Sequence, residues 1–545
     1  MKLHSTDMKK QLTCFLFSWF FIVPLTAQWQ WSVPLDNYVS GETNAPPTAF
    51  LWVPDSCTRI NAVVVGMHNM QEEGILEHPE FREVMSRLGV AQIWITPGLD
   101  PLFAENDGSH RVFERMLTDL AEVSGYSEIA SAPVVPIGHS AYASYPWNFG
   151  AWYPERTLAM LSIHGDAPQT HLTGCGRPNP DWGDRTIEGI PGLIVMGEYE
   201  WWEDRLQSAF RYRRDHPRVP LSVLADAGHG HFDHSNELVR YLAVFIEKAL
   251  RARLPEPRLS GESPQLLPVG AGEGWLADRW HPDQRPPDAP AAPSGLYTAD
   301  PSEAFWYFDG EMAALTEAYY ERARGKKEQY IGFEQQGKLL EYDPGRHGGF
   351  SPRFHPREDG LTFSIRPLFT DSLRRCITAE HAGGEALRID RLNGPVEKLD
   401  DTTFTVRFYR MGLDNPKRTG DIWLIASQPG DGQYKSAVQS LNIRIPHRNT
   451  EGMEQRITFP EIPDVAEGQT ELELHAVSNS GLPVYYYVKE GPAVIDGNRV
   501  VFTPVPPRAK YPVKVTVVAW QYGRTADPQI QTAPSVERSF YIRRR

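Results

Sequence analysis

Between Thr48 and about Pro255 the chain alternates short apolar runs with stretches of helical period, and this alternation limits the fold more than any other feature. Strands separated by helices do not pair as hairpins, so the pattern predicts a mostly parallel sheet covered by helices. The candidate strands are Ala49–Val53, Ile60–Val65, Ala91–Ile95, Val134–Ile137, Ala159–Ile163, Leu193–Met196 and Leu221–Leu224. Helical period appears in His78–Leu88, Arg111–Val123, Asp204–Arg214 and Asn236–Ala252. In the last, Leu238, Tyr241, Leu242, Phe245 and Ile246 share one face with Lys248 and Arg251 beyond it, as in a helix that closes a domain.

A chain of 545 residues exceeds one ordinary domain. Lys9 and Lys10 precede an apolar run from Leu12 to Pro24, followed by Leu25-Thr26-Ala27, which reads as a signal peptide over 1–27 and predicts a secreted or periplasmic protein. The α/β region then occupies 28–255. Residues 256–294 are dense in Pro and Gly and read as a linker. Residues 295–446 carry one helical stretch (302–324) and then short strands. From Gln455 to the C-terminus, short strands separated by Gly, Pro and Asn turns predict an all-β unit. No later run approaches the ~18 apolar residues of a membrane span. The formal charge of −14 excludes a protein built mainly to hold nucleic acid or an anionic membrane. With Cys14 in the signal segment, Cys57, Cys175 and Cys376 remain, an odd set that allows at most one bridge.

The chemistry centres on Val134-Val135-Pro136-Ile137-Gly138-His139-Ser140-Ala141-Tyr142, an apolar run that ends in a small residue, a serine and a helix-forming stretch. A serine in a tight strand-to-helix turn projects its Oγ from the sheet edge, where the helix N-terminus faces developing negative charge. This segment resembles the nucleophile elbow of the α/β-hydrolases, and two later motifs resemble that family in the expected order. Gly197-Glu198-Tyr199-Glu200 follows a candidate strand, as the family's acid does, and implies Glu200 as the acid, with Glu198 second and Asp166 as a competitor. Gly228-His229-Gly230-His231 precedes the last helix, as the family's base does, and implies His231 or His229. The resemblance also implies oxyanion donors from the Ala141 amide and from the Asn69 or Met70 amide after the second candidate strand. The family commonly places Gly two residues after the serine, where this chain has Tyr142, a bulky residue expected to crowd the elbow.

The all-β C-terminus, with Ser478-Asn479-Ser480-Gly481-Leu482-Pro483-Val484 and the run Val513–Trp520, resembles the immunoglobulin-like modules of secreted bacterial enzymes. A similar unit is expected to end near Ile443. Together these resemblances imply a multi-domain secreted serine esterase acting on an acylated small molecule or polysaccharide, with no cofactor and no metal. Trp147, Trp182, Trp201 and Trp202 lie near the presumed catalytic loops and are expected to line the substrate site, because indole faces stack on sugar rings. The loop 165–191 is expected to cover it. Two other readings stand beside this one. A hydrolase-like scaffold without activity would bind carbohydrate through its aromatics and β units. His229-Gly230-His231-Phe232-Asp233-His234 also resembles the H-x-H-x-D-H zinc signature of the metallo-β-lactamase fold, although that motif belongs early in its domain.

Overall fold

The computed structural model of the chain describes residues 29–104, 108–170, 177–200, 203–255 and 264–545. The expected signal peptide, Cys175, Trp201 and Trp202 lie outside these residues. The first unit is an eight-stranded sheet built from β1 (Trp31–Pro34), β2 (Thr48–Trp52), β3 (Ala62–Met67), β4 (Val90–Thr96), β5 (Val134–His139), β6 (Met160–Ile163), β7 (Gly192–Gly197) and β8 (Leu221–Asp226). The spatial order is β1-β2-β4-β3-β5-β6-β7-β8, with β1–β2 and β2–β4 antiparallel and the remaining pairs parallel. This is the α/β-hydrolase arrangement. Helices α1 (Glu72–Glu77), α2 (Pro79–Leu88), α3 (Ser109–Ser124), α4 (Tyr145–Trp152), α5 (Glu203–Asp215) and α6 (Asn236–Arg253) connect the strands.

Alternation along the central strands divides the core. Val64, Trp94 and Val135 join α1, α2 and α6 through Leu76, Phe81, Met85, Leu238 and Phe245. Val63, Val65 and Ile93 face the other way, onto α3 through Phe113, Met116 and Leu120. The direction of strand addition reverses between β3 and β5, so the loops leaving their C-terminal ends diverge around a crevice, the usual place for a site in an open parallel sheet.

Part of the segment expected to be a linker, from Trp275 onward, is instead packed with the structure that follows it, where the expected helical stretch forms. Trp275–Asp278 pairs with Ala304–Tyr307, and α7 (Gly310–Glu321) starts at Asp309, whose carboxylate caps the Met312 amide. Trp280, Phe305, Tyr307 and Tyr320 are buried in the same core as β7 and β8. The Tyr307 hydroxyl donates to the Val223 carbonyl at 2.6 Å, and the Ala225 amide donates to the Tyr320 hydroxyl at 3.2 Å. Pro-rich composition hid the burial of Trp280, a single aromatic in a stretch without a period.

Residues 327–446 form a second β-rich unit around Ile331, Phe333, Phe363, Phe404, Ile422, Leu424, Leu441 and Ile443. The expected module tail is the run Asp421–Gln428, paired on one side with Arg388–Asn393 and on the other with Ala437–Arg444. The C-terminal part holds a four-stranded and a three-stranded sheet with a shared core of Leu474, Tyr486, Val500, Val517 and Phe540. It docks on the first unit through Arg508 with Glu128 at 2.8 Å and the Lys510 amide on the Ser124 carbonyl at 2.9 Å. Cys57 is buried and Cys376 exposed, and neither is in a disulfide. Among the described residues no helix is long and apolar enough to cross a membrane.

If 275–324 belongs to the first core, Trp280→Ala should cost about 3–5 kcal/mol in denaturant unfolding, the usual penalty for truncating a buried indole. A loss below about 1 kcal/mol would return residues 275–294 to the role of a surface tether.

Candidate active site

Ser140 follows β5 directly, in a single 3-10 turn, with φ of 52°. That left-handed conformation costs a non-glycine residue about 1–3 kcal/mol and persists only where the surroundings enforce it. Gly138 makes the turn possible, since a Cβ there would lie 2.0 Å from the Tyr142 carbonyl oxygen. Tyr142 does not crowd the elbow. Its ring lies over Gly98, where any Cβ would collide with it, and its hydroxyl donates to the Leu99 carbonyl at 3.0 Å.

Three loops meet at this serine. The Ser140 Oγ stands 2.7 Å from His231 Nε2, and His231 Nδ1 makes a short hydrogen bond to Glu200 Oε2. Glu200 sits in the turn after β7, and its other oxygen is 2.6 Å from His164 Nδ1 and 3.1 Å from the Gly197 amide. Burial opposes charge on Glu200, but His164 and then His231 outweigh it and hold the carboxyl below its ordinary range. Burial likewise opposes charge on His164, and Glu200 raises it. His231 keeps 24 % of its side chain exposed, so the imidazole bonded to Ser140 is reachable from solvent.

The other candidates sit elsewhere. His229 Nδ1 bonds Asp233 and lies 3.2 Å from Asp226, while its Nε2 faces Ser436 Oγ at 3.0 Å; both ring nitrogens are engaged away from Ser140. Burial disfavours its charge, but Asp226 and Asp233 raise it well above the ordinary histidine range, which suits an imidazolium rather than a base. Glu198 pairs with Lys435 at 2.8 Å, and Asp166 accepts the Ala167 amide at 3.0 Å. The H-x-H-x-D-H stretch does not converge on one point: His231 turns to Ser140, His229 to the two aspartates, and His234 packs against Gly74.

The Met70 amide is withdrawn from the oxyanion role, because it donates to Glu72 Oε2 at 3.1 Å, as the Gln71 amide does at 3.2 Å. Among the described residues the amides of Asn69 and Ala141 meet no protein acceptor. The Asn69 carboxamide donates to the His139 carbonyl at 2.8 Å and ties this loop to the end of β5. Trp147 and Trp182 are corrected as well. Both are buried, with indole N–H groups donating to the Asp166 carbonyl at 2.9 Å and to Asn148 Oδ1 at 2.8 Å, so they fix the fold beneath the loops. Trp182, Ile187 and Ile190 anchor the described part of the loop 165–191 into the core.

Three residues that the sequence pattern left aside carry the geometry. His164 shares the acid. His139, held neutral by burial and by the neighbouring His231 and His164 imidazoles, donates its Nε2–H to the His231 carbonyl at 2.9 Å. Glu72, at the start of α1, accepts the His139 amide at 2.7 Å with one oxygen and the Met70 and Gln71 amides with the other, joining the elbow to the oxyanion loop. Only the position of Glu72 just after a strand-end loop pointed to it. Beside His231, the Phe232 ring meets Trp423 and His347 of the second unit at 5.1 and 5.8 Å.

No protein-family model and no curated protein matches the chain. Among solved structures, similar folds include the LpqC poly(3-hydroxybutyrate) depolymerase of Bordetella parapertussis, 14% identical over 42% of this chain and 92% of that one, with a TM-score of 0.29. The S-formylglutathione hydrolase FrmB of Staphylococcus aureus is 13% identical over 41% and 98%, at 0.28. The esterase domain of a Rhodothermus marinus protein is 16% identical over 41% and 98%, also at 0.28.

Burial pushes Glu72 up to about 7 in the folded chain, against 4.5 ordinarily. Between these values the native state holds a proton that the unfolded chain has released, so this group makes stability fall as pH rises from about 4.5 to 7 and level off above. Glu72→Gln should flatten that interval in urea unfolding curves. An unchanged slope would show that Glu72 is ionised throughout.

Proposed function

We propose that the protein is a serine hydrolase that cleaves carboxylic esters. One observation carries the reading: an unbroken hydrogen-bonded chain from Ser140 through His231 to a buried Glu200, supplied by three loops far apart in sequence. His231 takes the Ser140 proton as the Oγ attacks the ester carbonyl, and the amides of Ala141 and Asn69 receive the negative charge on the carbonyl oxygen. Glu200 keeps His231 Nδ1 protonated, so Nε2 is free to accept, and stabilises the imidazolium that forms. The imidazolium returns its proton to the departing alcohol, and water attacks the acyl-enzyme by the same route.

We further propose that the substrate is an acylated carbohydrate met outside the cytoplasm. Supporting this are the signal-like N-terminal segment, the two β-rich units and the partly exposed Phe232 ring beside His231. Flat rings of this kind suit the apolar faces of sugars.

Ser140→Ala should lower turnover of p-nitrophenyl acetate by at least about 10³-fold without changing the circular dichroism spectrum. Glu200→Gln should cost about 10⁴-fold in kcat, the scale seen when a triad acid loses its charge and the imidazole its tautomer. Undiminished hydrolysis by the alanine variant rejects the scheme. A panel of acetylated, feruloylated and glucuronoyl-esterified oligosaccharides tests the substrate class, and activity confined to simple aryl esters would count against carbohydrate.

A further inference from the structure

The loops of the proposed triad are held from outside the first unit. Asn393 lies at a register shift in the pairing of Arg388–Asn393 with Asp421–Gln428, an irregularity that re-aims a side chain. Its buried Nδ2 donates to the Asn69 carbonyl at 2.9 Å and to the Met70 carbonyl at 3.2 Å, while its Oδ1 accepts the Gly394 amide at 2.6 Å. The peptide joining Asn69 to Met70 is therefore gripped at both ends, its carbonyl by Asn393 and its N–H by Glu72. That grip fixes the rotation of the loop that presents the Asn69 amide.

On the opposite side, Lys435 is fully buried and pairs with Glu198 Oε1 at 2.8 Å. Glu198 Oε2 accepts the Gly228 amide at 2.7 Å, and the Tyr199 amide donates to the His229 carbonyl at 3.0 Å. Glu198 thus joins the turn carrying Glu200 to the loop carrying His231, and the buried ammonium holds the Glu198 carboxylate in place for it. The contact is close: Gly228 has φ of 84°, and a Cβ there would lie 2.5 Å from the Ser436 carbonyl oxygen.

We propose that the β-rich unit 327–446 is a working part of the catalytic centre, in which Asn393 positions the oxyanion loop and Lys435 positions the acid and base loops. The proposal rests on the serine-hydrolase reading and adds to it that the first unit alone does not hold its loops in register. Neither side chain touches the reacting atoms, so their effect falls on the rate of the chemical step rather than on substrate binding.

The test uses the full chain and p-nitrophenyl acetate, with kcat, KM and melting temperature measured together. Asn393→Asp keeps the shape and removes both N–H donors, and Asn393→Ala removes the side chain. Each should lower kcat by at least about 10-fold with KM within about 3-fold and with a folded spectrum. Lys435→Met should do the same. Because that change strands a buried carboxylate, the doubly neutral Glu198→Gln/Lys435→Met carries this arm where the single variant does not fold, with kcat still down by about 3-fold or more at a wild-type melting temperature. Folded variants at both positions with kcat within about 2-fold of wild type, in a protein where Ser140→Ala is inactive, overturn the proposal alone. If Ser140→Ala retains wild-type turnover, the serine-hydrolase reading falls and takes the proposal with it.

Discussion

A carboxylate buried beneath a site must be kept ionised, or it no longer orients anything. Glu200 meets that demand by sharing its two oxygens between two imidazoles and one amide. His164 is the less obvious partner. By bonding one oxygen it fixes the carboxylate plane and lowers its proton affinity, which leaves the second oxygen aimed at His231 Nδ1. The tautomer of His231, and through it the acceptor that faces Ser140, follows from this arrangement. The left-handed backbone at Ser140 completes the geometry by turning Oγ toward that acceptor.

Around this chain the backbone is restrained from several directions. Glu72 gathers amides from the elbow and the oxyanion loop on one side, and Asn393 gathers that loop's carbonyls on the other. His139 holds the carbonyl of His231. Each restraint is a hydrogen bond from a buried side chain to backbone, the kind of contact that fixes loops to within fractions of an ångström. Two of the clamping side chains, Asn393 and Lys435, come from the second unit, so the domain interface and the proposed site are one region.

Much of the first unit was legible because its strands are largely apolar runs buried on both faces, as β3 and β7 show. The order of Ser140, Glu200 and His231 was legible too, since each lies in a short polar loop after such a run. Local pattern misled where side chains are buried by distant partners. Trp147 and Trp182 lie near the loops in sequence but face inward, and Trp280 sits in a Pro-rich stretch that reads as exposed. The choice between His229 and His231 rested on spacing alone, and what separates them in space is Asp226 and Asp233, which bind the first. Asn393 and Lys435 gave no signal, because their role exists only where two units meet.

Whether Ser140 is an activated nucleophile is tested most directly by treating the protein with a fluorophosphonate and mapping the adduct by peptide mass spectrometry. The account predicts one phosphonyl group, on Ser140, and none after replacement of His231 by Ala. A folded protein that takes no label, or takes it on a serine other than Ser140, would contradict it.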